Sequence, residues 1–132
     1  MEAISVLIVD DSALMRSLIG KIVDSAPNLQ IADKAMNGRF ALQKIAKAKP
    51  DIIVLDIEMP EMNGIEFLKE RKKIGLDIPV IILSSIAKEG AKVTMECLEL
   101  GASDFVTKPS GSESADLHTV AAQLVEMLQG YG

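Results

Sequence analysis

The stretch Ile4-Ser5-Val6-Leu7-Ile8-Val9-Asp10-Asp11-Ser12 sets a short, continuous apolar run directly before two carboxylates and a serine. Such a run is typical of a strand buried on both faces, as in a parallel sheet. Leu14, Leu18 and Ile22 then recur at four-residue steps, which predicts a helix that lays one stripe on the sheet, with the serine as its cap. A strand followed by such a helix is the start of a βαβ unit.

The same alternation continues along the chain. Helical periodicity recurs around Leu42, Ile45 and Ala46, before Pro50. The last helix is predicted from the spacing of Leu117, Val120, Ala121, Leu124 and Leu128, with a stop at Gln129–Gly132. Four further apolar runs predict the remaining strands: Gln30-Ile31-Ala32, Ile52-Ile53-Val54-Leu55, Val80-Ile81-Ile82-Leu83 and Phe105-Val106. The pattern therefore predicts an α/β domain with a five-stranded parallel sheet between helices.

Length and composition limit the classes of function. A chain of 132 residues is the size of one domain. Its net charge of −5 and its 3% aromatic content disfavour binding to a phosphate backbone or stacking on bases. Cys97 is the single cysteine, so it is expected to be a small buried hydrophobe rather than part of a disulfide. Without a signal peptide or an apolar run of membrane length, the chain is expected to be cytoplasmic.

Candidate functional residues follow the predicted strands. In an open parallel sheet, ligands bind at the carboxyl ends of the strands. Asp10 and Asp11 follow the first strand, Asp56 the third, Ser84 the fourth and Lys108 the fifth. Each feature alone is often only a turn or a helix cap, but their joint occurrence at four strand ends favours a site. Three carboxylates repel one another unless a cation lies among them, and hard oxygen ligands suit Mg²⁺. The ammonium is then available to a phosphoryl group, to which the hydroxyl can donate.

Three motifs carry a resemblance to a known family: Val9-Asp10-Asp11-Ser12, the run from Asp56 to Gly64, and the run from Gly101 to Pro109. Over essentially its whole length the chain resembles the receiver domain of two-component response regulators. The resemblance implies a flavodoxin-like fold with strand order 2-1-3-4-5 and five flanking helices. It also implies a phosphoprotein that takes a phosphoryl group from a histidine kinase.

The resemblance assigns the nucleophile and the metal ligands. Asp56 is expected to attack the phosphohistidine of the kinase and to become an aspartyl phosphate. Asp10 and Asp11 are expected to hold Mg²⁺ together with Asp56 and the backbone carbonyl of Glu58.

The resemblance also assigns the groups that respond to the phosphoryl group. Lys108 is expected to pair with it, through a cis bond to Pro109. Ser84 is expected to move toward a phosphoryl oxygen, and the ring of Phe105 to turn inward behind it. The output surface is expected on the fourth helix, fifth strand and fifth helix.

Ser84-Ser85 and the stretch from Leu98 to Gly111 are most similar to the receivers of chemotaxis protein-glutamate methylesterases. That similarity implies an attached hydrolase domain, blocked by the unphosphorylated receiver, which removes methyl esters from chemoreceptor glutamates. The expected division is a receiver over residues 1–129 and the start of a linker at 130–132. The hydrolase triad is not expected in this chain, because it holds one histidine and no glycine-flanked nucleophile turn.

Two other functions remain open from the sequence. A single-domain chemotaxis receiver that signals by binding a protein would share every site residue. A Mg²⁺-dependent phosphohydrolase would use the same acidic cluster for repeated turnover, but no second general acid is evident near Asp56.

Overall fold

The computed structural model describes residues 3–57, 59, 61–84, 88–107 and 114–132, without the side chains of residues 84, 88–91 and 114–118. The strands are β1 (Ile4–Val9), β2 (Leu29–Ala35), β3 (Ile52–Asp56), β4 (Val80–Ser84) and β5 (Asp104–Thr107). The helices are α1 (Ala13–Ser25), α2 (Gly38–Ala48), α3 (Gly64–Ile74), α4 (Lys88–Glu99) and α5 (Ser114–Tyr131).

All four strand pairings are parallel, in the order β2-β1-β3-β4-β5. The α/β fold predicted from the apolar runs and the order implied by the resemblance are both confirmed. Because the order reverses direction beside β1, the carboxyl ends of β1 and β3 form the edge where a ligand is expected.

The hydrophobic core has two layers, one on each face of the sheet. On one face, Leu7, Leu55 and other strand residues pack with Ala41 of α2, Phe67 of α3 and Cys97 of α4. On the other face, the intervening strand residues pack with side chains of α1 and α5: Ile19, Val23, Leu124 and Leu128. The central strands are buried on both faces, which explains why they appear in the sequence as unbroken apolar runs.

The apolar stripe predicted for α1 is wrong by about one residue. Leu14 is 71% exposed, whereas Ile19 and Val23 face the sheet. The four-residue spacing is correct. However, two sets of apolar residues in this helix, shifted by one position, have the same spacing, and the sequence does not show which set faces the core. The same shift occurs in α2, where Ala41 and Ile45 are buried and Ala46 is exposed.

The ends of several elements also differ from the prediction. β2 spans Leu29–Ala35 and is longer than the predicted Gln30–Ala32. The prediction was too short because only the first and last residues of this edge strand are buried, so its sequence has no continuous apolar run. By contrast, α5 ends at Tyr131, within the stop predicted at Gln129–Gly132.

Two other expectations concern burial and hydropathy. Cys97 is fully buried, as expected for a small hydrophobic side chain. Within the described part of the chain, no helix is both long enough and apolar enough to span a bilayer.

Candidate phosphoacceptor site

The turn between β1 and α1 holds Asp10 in a defined position. The backbone N–H of Asp10 donates to the carbonyl of Ala35 at 3.1 Å, and its Oδ1 accepts from the backbone N–H of Ser12 at 2.9 Å. Ser12 caps α1 as predicted, because its Oγ accepts from the N–H of Met15 at 3.2 Å. Asp10 is fully buried and Asp11, the next residue, is exposed. The turn thus presents one buried carboxylate beside one that reaches solvent.

Asp56 is the last residue of β3, the central strand, and is 4% exposed. Behind it, the backbone N–H of Gly64 donates to the carbonyl of Ile57 at 2.8 Å. A Cβ on Gly64 would lie 2.9 Å from the carbonyl oxygen of Asp56 and 2.9 Å from Cα of Ile57. Only glycine permits this approach, so α3 begins directly against the backbone that carries Asp56.

The segment between Asp56 and α3 is also attached to α2. The backbone N–H of Gly38 donates to the carbonyl of Met62 at 3.0 Å, and a Cβ on Gly38 would lie 2.8 Å from Cγ of Met62. The next residue, Asn63, forms a reciprocal capping box with Glu66 of α3. Met62 and Asn63, directly before α3, are therefore fixed by contacts with two helices.

The carboxylates of Asp10, Asp11 and Asp56 converge. One oxygen of each lies within 4.8 Å of the others. The cause is the strand register: Val9 pairs with Leu55, so the residues that follow them emerge side by side. All donors in the group are carboxylate oxygens, which fits a hard cation such as Mg²⁺ and does not favour a soft metal. The acidic cluster predicted from the sequence is thus present at the expected edge of the sheet.

The remaining predicted site residues are described only in part. Asp56 pairs with Leu83 and Ser84 pairs with Thr107, so the backbone of Ser84 lies one residue beyond the strand partner of Asp56. The side chain of Ser84 lies outside the described residues. Phe105 lies on the edge strand β5 with 40% of its surface exposed. Glu58, Lys108 and Pro109, with the cis bond expected between the last two, also lie outside the described residues.

Two residues that shape the site were not among those predicted from the sequence. Gly64 ends one of the three motifs, yet its role depends on the close approach of its backbone to Asp56. Arg16 donates from Nη1 to the backbone carbonyl of Asp10 at 2.6 Å. A signal for Arg16 was available, because helical side chains point toward the helix N-terminus and this residue lies one turn after the cap Ser12.

Comparisons with known proteins agree on one family. The family model described as response regulator receiver domain matches residues 6–122. A protein-glutamate methylesterase/protein-glutamine glutaminase from Treponema denticola is 75% identical over all 132 residues, which are 36% of that protein's length. The chain thus spans about a third of the length of the curated relatives it matches.

Two solved structures extend the comparison. The response regulator domain of Thermotoga maritima CheB is 45% identical, with a TM-score of 0.87 over 98% of this chain and 96% of that one. A structure of the P1 domain of CheA3 in complex with CheY6 from R. sphaeroides matches at 35% identity and a TM-score of 0.78, over 99% and 98% of the two chains.

Proposed function

Because the chain belongs to the response regulator receiver family, we propose that Asp56 accepts a phosphoryl group from a histidine kinase and so regulates an attached chemotaxis methylesterase domain. The observation that carries the proposal is the convergence of three carboxylates at the carboxyl ends of β1 and β3. One of them is the nucleophile and the other two provide most of its cation site.

The geometry favours Asp56 over its two neighbours as the nucleophile. Asp10 uses Oδ1 to accept from Ser12, which holds that carboxylate to its own turn. Asp11 is exposed at the rim of the group. Asp56 ends the central strand on a backbone that lies directly against Gly64, so its position is fixed. At 4% exposure it is shielded from most water but, unlike the fully buried Asp10, it keeps some accessible surface for an arriving phosphoryl group.

The transfer is a displacement at phosphorus. An Oδ of Asp56 attacks the phosphorus of the phosphohistidine, the new P–O bond forms, and the P–N bond to the imidazole breaks. The electron pair of the broken bond stays on the imidazole nitrogen, which takes up a proton from solvent. The product is an aspartyl phosphate on the receiver and a neutral histidine on the kinase.

The attacking carboxylate and the arriving phosphoryl group are both anions and repel each other. Asp10, Asp11, Asp56 and the backbone carbonyl of Glu58 would hold a Mg²⁺ ion, and its positive charge would offset this repulsion. The donor set supports this choice, because carboxylate oxygens and waters are the ligands that Mg²⁺ prefers.

Three further residues are assigned to the phosphorylated state. Lys108, directly after β5 in the sequence, pairs through its ammonium with the phosphoryl group. Ser84 donates from its hydroxyl to a phosphoryl oxygen. Phe105 then turns inward from its exposed position on β5, which changes the face formed by α4, β5 and α5.

The partners follow from the relatives. The Treponema denticola relative is nearly three times as long as this chain, which supports a receiver joined to a methylesterase domain. The linker predicted to start at residues 130–132 would then begin in the last turn of α5, which ends at Tyr131. That domain would act on chemoreceptor glutamates in the cytoplasm. The matching complex of CheY6 with the P1 domain of CheA3 supports a chemotaxis kinase as the phosphodonor. The net charge of −5 makes nucleic acid an unsuitable partner.

Intact mass after incubation with acetyl phosphate tests the proposal. The carboxylate attacks phosphorus, acetate leaves, and the protein gains one phosphoryl group. We expect this adduct with Mg²⁺, not with chelator, and not in Asp56→Asn. Asp24→Asn, which removes an exposed carboxylate from α1, is the matched control and should phosphorylate like wild type. Steady release of phosphate without an adduct would instead indicate a phosphohydrolase.

A further inference from the structure

We propose that Arg16 is a positioning residue for the acidic turn, holding Asp10 where it can bind the cation before any metal arrives. The inference rests on the proposed function, because it concerns the same metal site. It adds a residue outside the carboxylate cluster on which the affinity of that cluster depends.

The contact is direct. Nη1 of the half-buried Arg16 donates to the backbone carbonyl oxygen of Asp10 at 2.6 Å. With this bond, Asp10 is held at its backbone N–H by Ala35, at its side chain by Ser12 and at its carbonyl by Arg16. The contacts with Ala35 and Ser12 do not restrain the carbonyl group of Asp10, which is restrained by the Arg16 guanidinium.

Three features of this contact suit the proposed role. The backbone N–H of Arg16 donates to the carbonyl of Ser12 at 2.9 Å, so the residue already belongs to the regular helix and its side chain lies back over the turn. A hydrogen bond from a charged donor is about twice as strong as one between neutral groups. The donor reaches a backbone carbonyl rather than a carboxylate, and therefore does not compete with a cation for the carboxylate oxygens.

The turn needs such a restraint because its neighbours repel. Carboxylate oxygens of Asp10, Asp11 and Asp56 lie within 4.8 Å of one another, and without a cation their charges push the turn away from β3. Outer groups that orient metal ligands typically change metal affinity by about 10- to 100-fold when removed. Because the turn has two other restraints, we expect the effect of Arg16 at the lower end of that range.

The charge of Arg16 and its hydrogen bond have opposite expected effects on Mg²⁺ affinity, so a test can separate them. Removal of a positive charge beside a cation site, taken alone, would strengthen cation binding. A loss of affinity on removal of the guanidinium therefore cannot come from the change in charge, which would act in the opposite direction.

The experiment is calorimetric titration of the 132-residue chain with Mg²⁺, for wild type, Arg16→Met and Arg16→Lys. We expect Mg²⁺ to bind about tenfold more weakly to Arg16→Met. Arg16→Lys, which keeps a charged donor, should recover most of that loss. Lys21→Met is the charge-matched control, because Lys21 is exposed on the same helix, and it should bind Mg²⁺ at least as well as wild type.

Unchanged or tighter binding in Arg16→Met would overturn the proposal. A measurement on metal-free wild type tests it without a variant: the amide of Ser12, which donates to the Asp10 carboxylate, should be protected from hydrogen exchange in chelator. If that amide were protected only after Mg²⁺ is added, the turn would be ordered by the metal and not by Arg16. Failure of the proposed function is separate, since wild type would then bind Mg²⁺ but gain no phosphoryl group from acetyl phosphate.

Discussion

Neutralising Asp56 should stabilise the metal-free protein. Most substitutions of a buried residue destabilise a fold, so Asp56→Asn is expected to act against the usual direction. The reason is that this carboxylate is almost fully buried within 4.8 Å of two others, of which Asp10 is also buried. Asparagine keeps the shape of the side chain and removes its charge.

The geometry sets the size of the effect. Two unit charges 4.8 Å apart repel by about 0.9 kcal/mol in bulk water and about 3.5 kcal/mol at an effective dielectric constant of about 20. Some of this gain is lost because hydrogen bonds to a carboxylate are stronger than those to an amide. We therefore expect a net stabilisation of about 1–3 kcal/mol, or about 3–10 °C in Tm for a domain of this size.

Thermal unfolding of wild type and Asp56→Asn in chelator and in Mg²⁺ measures the effect. The advantage of the variant should shrink in Mg²⁺, because the ion binds the folded wild type and stabilises it by an amount that rises with the logarithm of the ratio of Mg²⁺ concentration to Kd. Asp24→Asn makes the same change in net charge at an exposed position and should move the stability by no more than about 0.5 kcal/mol. If Asp56→Asn melted at or below the wild-type temperature in chelator, repulsion within the cluster could not be the dominant force there.

Three other predictions test separate parts of the account. Gly64→Ala should lose about 1–3 kcal/mol of stability and slow phosphorylation, because its Cβ would lie 2.9 Å from backbone atoms at the end of β3. The control Gly130→Ala, with open space around the added Cβ, should be neutral or stabilising. Equal effects of the two variants in denaturant unfolding would contradict the close approach. The pKa of Tyr131 should lie above its ordinary value of 10.0, because its hydroxyl donates to Asp104 at 3.0 Å, so this bond stabilises the fold below pH 10.0 and is lost as pH rises through the raised pKa. Alkaline titration of phenolate absorbance reports this residue alone, as the chain has one tyrosine and no tryptophan, and Asp104→Asn should lower the pKa; an unchanged value would show that the bond does not form. Burial raises the pKa of the Cys97 thiol to about 11, so it should react slowly with an aromatic disulfide near neutral pH and rapidly in denaturant; immediate reaction of the native protein would place the thiol at the surface.

How much of the fold the sequence predicts depends on where each strand lies. β1, β3 and β4 have helices on both faces and buried neighbours, so their residues form continuous apolar runs with clear limits. β2 is an edge strand whose residues Asp33 and Lys34 are only half-buried, and its sequence carries correspondingly little signal. The stripes predicted for α1 and α2 were correct in spacing and wrong in phase; in α1, Leu14 and Leu18 are as apolar as the residues that face the core. The stripe predicted for α5 is confirmed at Leu124 and Leu128, which are buried against the sheet.

The carboxylate cluster could be predicted because it depends on topology. Residues that directly follow parallel strands must meet at one edge, so Asp10, Asp11 and Asp56 needed no distance information to be grouped. The groups that hold them were not predictable in the same way. The role of Gly64 depends on a backbone approach between β3 and α3, and that of Arg16 on a side chain reaching past its own helix to a carbonyl.

The central claim is that Asp56, and neither of its neighbours, carries the phosphoryl group. Reduction of the phosphorylated chain with borohydride converts an acyl phosphate to an alcohol, so the modified aspartate becomes homoserine and can be located by mass spectrometry of peptides. We predict homoserine at position 56 alone, formed only when acetyl phosphate and Mg²⁺ are both present. Homoserine at position 10 or 11, or a phosphorylated chain with unmodified Asp56, would contradict the account.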